Sequence, residues 1–414
     1  MARASPIVLP SSEERPEARM RIALLTTTLE PGRCGVGDFT RRVATDLVAA
    51  GHEVLALAFR DGHLQVPARD DSLAGLSVLR LPAHAWSAAV RSEARVALEA
   101  FGPEVVSLQI SPYGLGYHGM LFSCLPWFEC LLAGLPLHIM YHELWIGGTH
   151  DAPWRQVVEG ALQRRLLGRF HRRLAPQAAS CSSSLAQAML ASIGIEASVT
   201  PIPSGIPVAP MGYGAAPPPA GPIPQTGAGT RRLALFGTIV PEWDWRGSLG
   251  VLCRAIRDSG QRTEVIQLGR PINSPRHIGR AIWAEISAAA NEFPATTLEV
   301  GETDAVTLSH WLQSCDAGLS LTPLELLGKS SVAAAYREHG LPIIGLREPL
   351  RLRPIRGRTD WPPDPGAVRA DATLLAQIRA GHWPASTPAT AGDTSLADVL
   401  GRWQGQHPVR LRHQ

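Results

Sequence analysis

The chain has 414 residues and a mass of 44.4 kDa, which is too long for one ordinary core and suits roughly two or three domains of ~100–200 residues. Hydrophobic residues make up 45% and charged residues 18%, a composition that excludes global disorder. The net charge of +3 is too even for a dedicated nucleic-acid binder, so we expect no nucleic-acid partner.

The cysteines and the amino-terminal stretch bear on the cellular compartment. The six cysteines include no Cys-x-x-Cys pair and no Cys/His grouping at zinc spacing, which predicts reduced thiols, no metal site and a cytoplasmic protein. Residues 1–19 are polar and lack the apolar core of a secretion signal, so we predict a disordered extension there. No segment has the ~18 apolar residues that span a bilayer.

From Arg21 onward, short apolar runs, Gly-rich or polar turns and amphipathic stretches alternate. This alternation predicts an α/β domain over 20–209, with a doubly wound parallel sheet. The predicted strands are 21–28, 53–59, 77–81, 104–110, 136–141, 178–182 and 197–202.

A second series of the same kind follows a segment rich in proline and glycine. Residues 210–229 cannot sustain a helix or a central strand and suit a linker between domains. A second Rossmann-like domain is predicted over 230–365, followed by a helical tail over 366–414 that packs back on the domains. The predicted strands are 231–236, 263–268, 296–301, 316–321 and 342–345, and the helical patches of the tail are 373–380 and 395–403.

The first loop between a strand and a helix is rich in glycine. It reads EPGRCGVGDFT over 30–40, and Gly35 and Gly37 allow an anionic ligand to approach the backbone. Thr40 stands where the third glycine of the dinucleotide fingerprint belongs. A dehydrogenase, which also needs an acid such as Asp61 after the second strand, is therefore disfavoured. The glycines serve either a ligand or the turn alone.

A later loop carries a cation and two hydroxyls after the predicted strand 316–321. It contains Gly328, Lys329, Ser330 and Ser331. Free N–H groups and the helix dipole at such a helix mouth favour a diphosphate. A Thr-Pro pair replaces the first glycine of a Walker loop, so this is a different phosphate loop. The alternative is that a serine only caps the helix and the lysine is solvated.

Seven segments share the order and spacing of a known family. They are CGVGDFTRRVATDLVAAGHEV, EVVSLQISPYG, YHE, ASCSSSLAQAML, TPIPSGI, LALFGTIVPEWDWRG and SCDAGLSLTPLELLGKSSVAAAYREHGLPII. Together they resemble the family-4 glycosyltransferases of the GT-B type over most of residues 20–345. The resemblance implies two Rossmann-like domains facing a cleft, with a nucleotide-sugar donor held mainly by the second domain and the acceptor mainly by the first.

The same resemblance implies a chemistry. The enzyme would transfer a sugar to a glycan, a lipid-linked or a small-molecule acceptor with retention of anomeric configuration and without metal or cofactor, as in polysaccharide biosynthesis. His142 and Glu143, which follow the strand 136–141, take the catalytic positions. The expected donor-binding residues are Gly35, Gly37, Thr238, Arg246, Glu325, Gly328, Lys329, Ser330 and Ser331. No second carboxylate stands out as a nucleophile, so we favour front-face attack.

The chain departs from the family at its paired glutamates. Counting back from Gly340, these positions hold Leu327 and Ala335, and neither side chain can bond a ribose. Glu325 is a displaced candidate for the first glutamate, and Gly-Lys-Ser-Ser is a variant of the phosphate-binding turn. These two residues keep open a non-catalytic glycosyltransferase-like subunit that binds a nucleotide-sugar or glycan. A sugar-nucleotide epimerase or a phosphorylase also stays open, because it shares the two-domain architecture.

The stretch 154–174 is the densest basic cluster of the chain. At helical spacing Leu162, Leu166, Phe170 and Leu174 form an apolar stripe. Two interpretations are open: a core-facing helix with a solvated basic back, or a docking surface for an anionic membrane at the inner face of the cell.

Overall fold

The computed structural model describes residues 19–83, 86–210, 223–224, 226–269, 273–274, 277–358, 367–386, 395–401 and 403. The predicted extension 1–19 lies almost wholly outside these ranges, as does most of the predicted linker 210–229. Two α/β domains are present, each built on its own sheet.

The first domain contains an eight-stranded sheet with the order β3-β4-β2-β1-β5-β6-β7-β8. The strands are β1 (Arg21–Thr26), β2 (Glu53–Asp61), β3 (Ala68–Leu73), β4 (Leu76–Pro82), β5 (Val105–Ile110), β6 (Leu137–Tyr141), β7 (Ala178–Cys181) and β8 (Ser198–Val199). The helices are α1 (Gly35–Ala49), α2 (Ala88–Phe101), α3 (Pro112–Leu115), α4 (Leu125–Leu132), α5 (Trp154–Leu174) and α6 (Ser184–Ala191). All pairings are parallel except β3 with β4.

The second domain contains a six-stranded sheet, and all its pairings are parallel. Its strands are β9 (Thr230–Phe236), β10 (Arg262–Leu268), a separate hairpin of β11 (Asn273–Ser274) and β12 (His277–Ile278), β13 (Ala295–Gly301), β14 (Ala317–Ser320), β15 (Ile343–Gly345) and β16 (Ala367–Arg369). The helices are α7 (Trp245–Asp258), α8 (Gly279–Ala288), α9 (Ala305–Gln313), α10 (Ser331–Glu338) and α11 (Ala372–Arg379), with a 3-10 segment at Leu324–Lys329, and a last helix, α12 (Leu396–Gly401), follows the domain in the chain. The strand order β13-β10-β9-β14-β15-β16 is that of a Rossmann fold.

Both sheets are covered on two faces, which explains their continuous apolar strands. In β1, Ile22 and Leu24 belong to one core cluster, whereas Ala23 and Leu25 belong to another. Successive side chains point to opposite faces of a strand, so such runs are needed where helices cover both faces. The prediction of two Rossmann-like parallel-sheet domains is confirmed.

Two elements differ from the expectation because their sequences are short or polar. Strand β3 was not predicted, since its ARDDSL sequence is exposed at the sheet edge. Strand β16, which the predicted tail includes, joins the edge of the second sheet. Within the remaining tail, α11 packs on α7 of the second domain. Helix α12 returns to the first domain, where Leu396 and Leu400 join the core beside α1.

The two domains meet along a cleft and through a strap, residues 350–356. In the strap, the Arg353 N–H donates to the Gly148 carbonyl at 2.8 Å, and the His150 N–H donates to the Arg351 carbonyl at 2.8 Å. Gly328 touches the first domain so closely that a Cβ there would lie 2.0 Å from the Ser182 carbonyl oxygen. These contacts fix which loops face each other across the cleft.

Candidate functional site

The loops at the carboxyl ends of β1, β5 and β6 face the cleft from the first domain. They present Gly35 at the start of α1, Ser111 and Tyr113 after β5, and His142 and Glu143 after β6. In parallel sheets this edge is where ligands bind, since the connecting loops and helix N-termini gather there.

Three cavities lined by residues of the described ranges lie in the cleft. The central cavity, about 540 Å³, is lined by Gly35, Phe39, Gln109, Ser111, Tyr113, His142 and Glu143 from the first domain and by Lys329 and Ser331 from the second. A side cavity of about 350 Å³ shares His142, Glu143 and Lys329 and adds an apolar wall that includes Leu144, Met189 and Leu352. A third, of about 490 Å³, lies between α1 and Phe236 and also touches Gly35 and Ser331. The sequence-predicted residues Gly35, His142, Glu143, Lys329 and Ser331 are thus brought together.

The two glycines of the first loop serve different purposes. A Cβ on Gly35 would meet no atom within 4 Å, so this glycine leaves open space at the helix N-terminus. A Cβ on Gly37 would lie 2.5 Å from the Thr28 carbonyl oxygen, so this glycine permits close packing of the helix on the loop. Of the pair, Gly35 lines the cleft and Gly37 supports the turn.

A buried carboxylate anchors the same loop. Asp61 Oδ2 accepts hydrogen bonds from Arg80 Nε at 2.7 Å and from the Leu29 N–H at 3.2 Å, and Arg80 also pairs with Glu30. Burial raises the pKa of Asp61, but the hydrogen bonds from Arg80 and the backbone outweigh it, so the pKa lies below its usual value. Asp61 is thereby occupied within the protein, which further disfavours a dinucleotide site.

The His142 ring is held on two sides. Its Nε2 lies 3.0 Å from Gln109 Oε1, and its plane meets the edge of Phe39 with the ring centroids 4.6 Å apart. Desolvation lowers the pKa of His142 to about 3. The imidazole is therefore neutral near pH 7 and can exchange a hydrogen bond with a hydroxyl in the cleft. Next to it, Glu143 Oε2 accepts a hydrogen bond from Ser111 Oγ at 2.5 Å.

Lys329 brings a positive charge to the cleft from the second domain. It is exposed, lines the central and side cavities, and pairs with no acidic residue in the described ranges. Of the 39 lysines and arginines of the chain it is the only lysine. The motif-based reasoning did not use this fact, which makes Lys329 the one side-chain ammonium of the chain.

Of the two serines after Lys329, one caps the helix and the other faces the cavity. Ser330 Oγ accepts a hydrogen bond from the Ala333 N–H at 3.2 Å, so Ser330 caps α10. Ser331 is exposed and lines the central cavity. Beside the lysine, the helix mouth therefore presents the Ser331 hydroxyl, which bonds no partner in the part of the chain that the structure describes.

Several predicted donor-binding residues do not line these three cavities among the described residues. Thr238 is exposed elsewhere, and Arg246 stacks on the Trp245 ring at 3.9 Å and lies 3.9 Å from Glu285. Glu325 is buried against Arg369 of β16, with 2.9 Å between their side chains, and lines none of the three cavities. Gly328 packs against Ser182, which accounts for its lack of a side chain.

The family's paired-glutamate positions are closed to any ligand. Leu327 and Ala335 are completely buried in the core of the second domain. Sequence reasoning missed Gln109, Ser111 and Tyr113, although their position at the end of an apolar strand is the signal that marked His142.

Metal-binding clusters and membrane-spanning helices are both absent from the described ranges. The described residues contain no group of three or more His, Cys, Asp or Glu side chains arranged to hold a metal ion. None of the helices in the described ranges is long and apolar enough to cross a bilayer.

Comparison with known proteins bears on the first domain. Residues 34–209 match the family model for Glycosyltransferase Family 4, which spans the Gly-rich loop and the rest of the first sheet. The match covers less than half of the chain and supports a family-4 glycosyltransferase. No curated protein sequence gives a significant match.

Three solved structures illustrate the structural similarity. Sucrose-phosphate synthase from Thermosynechococcus elongatus is 14% identical, with 79% of this chain and 81% of that chain covered and a TM-score of 0.47. HepE from Anabaena, solved with UDP and glucose, is 14% identical, with 79% and 80% covered and a TM-score of 0.46. A trehalose-phosphate synthase from Burkholderia vietnamiensis is 11% identical, with 80% and 87% covered and a TM-score of 0.41. All three TM-scores are below 0.5, so the fold assignment rests on the strand order of the two sheets.

Proposed function

We propose that the protein is a retaining glycosyltransferase that transfers a sugar from a nucleoside-diphosphate donor, without metal, to an acceptor held by the first domain. The observation that carries the proposal is the central cavity, where His142 and Glu143 of one domain face Lys329 and Ser331 of the other. The family match over 34–209 supports the same class of reaction.

The residues suit the charges that develop in such a transfer. As the bond between the anomeric carbon and the diphosphate oxygen breaks, negative charge builds on the diphosphate and positive charge on the sugar ring. Lys329, the Ser331 hydroxyl and the N-terminus of α10 stabilise the leaving diphosphate. The acceptor oxygen attacks the same face of the sugar, and its proton passes to the departing phosphate oxygen. His142 bonds a hydroxyl, and Glu143 lies beside the reacting atoms.

One alternative is a non-catalytic subunit that binds a nucleotide-sugar, because buried Leu327 and Ala335 stand where the paired glutamates are expected. A thermal-stability screen with nucleoside diphosphates and nucleotide-sugars tests binding first. A ligand at ~100 times its Kd adds roughly 2.7 kcal/mol to the free energy of unfolding, and we expect nucleotides of one base to raise the melting temperature. In the test variant Lys329→Ala, the same nucleotides should no longer raise it. No stabilisation by any nucleotide would contradict the proposal.

The product of the reaction then distinguishes a transferase from a binding subunit and from an epimerase. With the stabilising donor and a panel of acceptors, a transferase forms a new glycoside whose anomeric configuration, read by NMR, equals that of the donor. A binding subunit leaves the donor unchanged. An epimerase alters the donor sugar without any acceptor. Inversion at the anomeric carbon would contradict the retaining mechanism while leaving the donor assignment intact.

We further propose that helix α5 docks on an anionic membrane that holds the acceptor. The expected core stripe of α5 is wrong at one residue, because Leu162 is exposed while Gln163, Leu167 and Phe170 are buried. The helix approaches through Gly160, where a Cβ would lie 1.9 Å from the Ile146 carbonyl oxygen. Because of this close approach, the face of α5 that is buried differs from the predicted leucine stripe.

The burial of that face leaves a row of apolar side chains of α5 exposed beside its arginines. Trp154, Val158 and Leu162 follow each other at four-residue spacing and are all exposed. Tyr117, 88% exposed, lies nearby because His118 Nδ1 is 3.0 Å from Glu159 Oε1 of α5. A helix that lies in a membrane interface binds through buried apolar area and through attraction of its basic side chains to anionic lipids, and this surface supplies both.

Co-sedimentation with anionic vesicles tests this docking. We expect binding at low salt that weakens at high salt, since each arginine near the surface contributes about 1 kcal/mol. The test variant neutralises Arg165, Arg169 and Arg172 to Gln and should lose binding. The matched control neutralises three exposed arginines of the second domain, namely Arg257, Arg280 and Arg379. Equal loss in both variants, or no binding by the wild type, would contradict docking through α5.

A further inference from the structure

A row of polar side chains runs behind His142 through the interior of the first sheet. In order from the cleft its members are His142 directly after β6, Gln109 and Ser107 of β5, His138 of β6, Ser180 of β7 and Ser198 of β8. Successive partners are separated by 3.0, 2.8, 2.8, 3.0 and 2.8 Å. We call this row the polar chain.

The polar chain is unusual for its surroundings. Ser107, Gln109, His138 and Ser180 are all buried, and the other residues of β5 are apolar. Buried polar groups cost stability unless each finds a partner, and apolar residues fill the interior of a parallel sheet more simply. Packing alone therefore does not explain why these four buried positions carry polar side chains. A chain of hydrogen bonds with a fixed direction does explain it.

The direction of the bonds can be worked out from the acceptors. The Gln109 Nε2 group lies 3.4 Å from the Ser107 carbonyl oxygen, which only accepts, so this end of the amide is the NH₂. Gln109 Oε1 then faces His142 and only accepts. The proton of the neutral His142 ring must therefore be on Nε2.

The rest of the polar chain agrees with that direction. The Gln109 amide donates to Ser107 Oγ, which leaves the Ser107 proton for His138 Nδ1. Because His138 Nδ1 accepts, its Nε2 carries the proton and donates to Ser180 Oγ, and Ser180 can donate to Ser198. Every bond points away from the cleft, so each member supports the orientation of the one before it.

We infer that the polar chain holds His142 as the neutral Nε2–H tautomer, so that Nδ1 presents a lone pair to the cleft and accepts a hydrogen bond from a sugar hydroxyl. Nδ1 makes no hydrogen bond to any residue that the structure describes. Gln109, Ser107, His138 and Ser180 act through His142 and are positioning residues. The inference deepens the proposed function and rests on it for the identity of the hydroxyl.

The other groups around His142 are compatible with a neutral ring. The titratable side chains that line the cavities with it are Cys34, Tyr113 and Glu143 from the first domain and Lys329 from the second. Glu143 is bonded to Ser111, and no ion pair to His142 is formed among the described residues. Desolvation, which lowers the pKa of His142 to about 3, dominates.

The tautomer can be measured without a substrate. In the full chain labelled with ¹⁵N-histidine, ¹⁵N chemical shifts distinguish a protonated from an unprotonated ring nitrogen, and His142→Gln identifies the His142 signals by their loss. We expect Nε2 protonated and Nδ1 unprotonated from pH 5 to pH 8 in the wild type. A wild-type His142 that is charged, or protonated on Nδ1, in this range would overturn the inference.

Two variants test whether the polar chain is the cause. Gln109→Glu places a carboxylate beside Nε2 and should raise the pKa of His142 into the measured range, whereas Gln177→Glu, at an exposed position at the opposite edge of the sheet, should not. Ser107→Ala adds no volume and frees the Gln109 amide to turn, so signals of the Nδ1–H tautomer should emerge. A His142 spectrum unchanged in both Gln109→Glu and Ser107→Ala would overturn the role of the chain.

Turnover gives the functional readout once a donor is known. For Gln109→Glu we expect kcat to fall by about tenfold or more at acidic pH and to recover as the pH rises above the raised pKa of His142, with nucleoside-diphosphate affinity unchanged. A pH profile equal to that of the Gln177→Glu control would contradict the inference. If no donor is turned over, the proposed function fails, while the tautomer measurement still decides the state of His142.

Discussion

The removal of the single lysine is the sharpest perturbation of the proposed donor site. Lys329 is exposed and pairs with no acidic residue in the described ranges, so Lys329→Ala leaves no buried group without its partner. We expect its free energy of unfolding to stay within about 0.5 kcal/mol of the wild type. Any large effect must then arise in the ligand complex.

The magnitude follows from the contact that is lost. A charge-assisted hydrogen bond to a phosphate contributes about 1.5–3 kcal/mol, which corresponds to roughly 10- to 150-fold in Kd. Lys329→Arg keeps the charge but changes its shape and reach, and should lie between the wild type and Lys329→Ala. Isothermal titration with the nucleoside diphosphate found in the stability screen measures all three values. Arg379→Ala, at an exposed position on α11, is the control. Unchanged affinity and rate in Lys329→Ala would refute the reasoning.

Three further predictions follow from the first domain. Gly35→Ala should keep the stability of the wild type but weaken ligand binding, whereas Gly37→Ala should lower the free energy of unfolding by about 1–3 kcal/mol in urea denaturation, because its Cβ meets the Thr28 carbonyl. His142→Ala should reduce turnover while nucleoside-diphosphate binding, measured by calorimetry, persists, and loss of that binding in a folded variant would refute the assignment. Asp61→Asn should destabilise the protein by about 3 kcal/mol above pH 5, since it breaks a buried pair. The pKa of Asp61 is lowered in the fold, so this difference should shrink as the pH falls below about 4.

The sequence was sufficient to predict the two sheets because their strands are buried on both faces. Runs such as Val105–Ile110 are continuous in apolar character apart from Ser107 and Gln109, and the connecting loops carry glycine. Strand β3 could not be predicted, because an exposed edge strand needs no apolar side chains. Edge strands are defined by their neighbour in the sheet, which the local sequence does not specify.

The candidate site was predictable where position along a strand decides it. His142 and Glu143 could be placed at the cleft because they follow a buried strand, and Lys329 because it precedes a helix. Glu325 and Gly328 are close to Lys329 in sequence but face Arg369 and Ser182. Within one tight 3-10 segment, neighbouring side chains point in different directions, so sequence proximity alone cannot separate a ligand contact from packing.

The choice of the buried face of α5 shows the same limit at a helix. A stripe of leucines at four-residue spacing predicted the buried face, but Gly160 allows the helix to approach the Ile146 backbone. The buried face therefore includes Gln163, which accepts a hydrogen bond from the Ile146 N–H at 3.0 Å. Hydrophobicity does not reveal a contact made by backbone and amide groups.

Chemical labelling of Lys329 tests the central claim most directly. Because the chain has no other lysine, modification by an amine-reactive ester is read by mass spectrometry at one internal position. We predict that the nucleotide-sugar that stabilises the protein slows the labelling of Lys329 in proportion to its occupancy, and that its nucleoside diphosphate does the same. Labelling at an unchanged rate under saturating nucleotide would contradict a diphosphate site at the cleft.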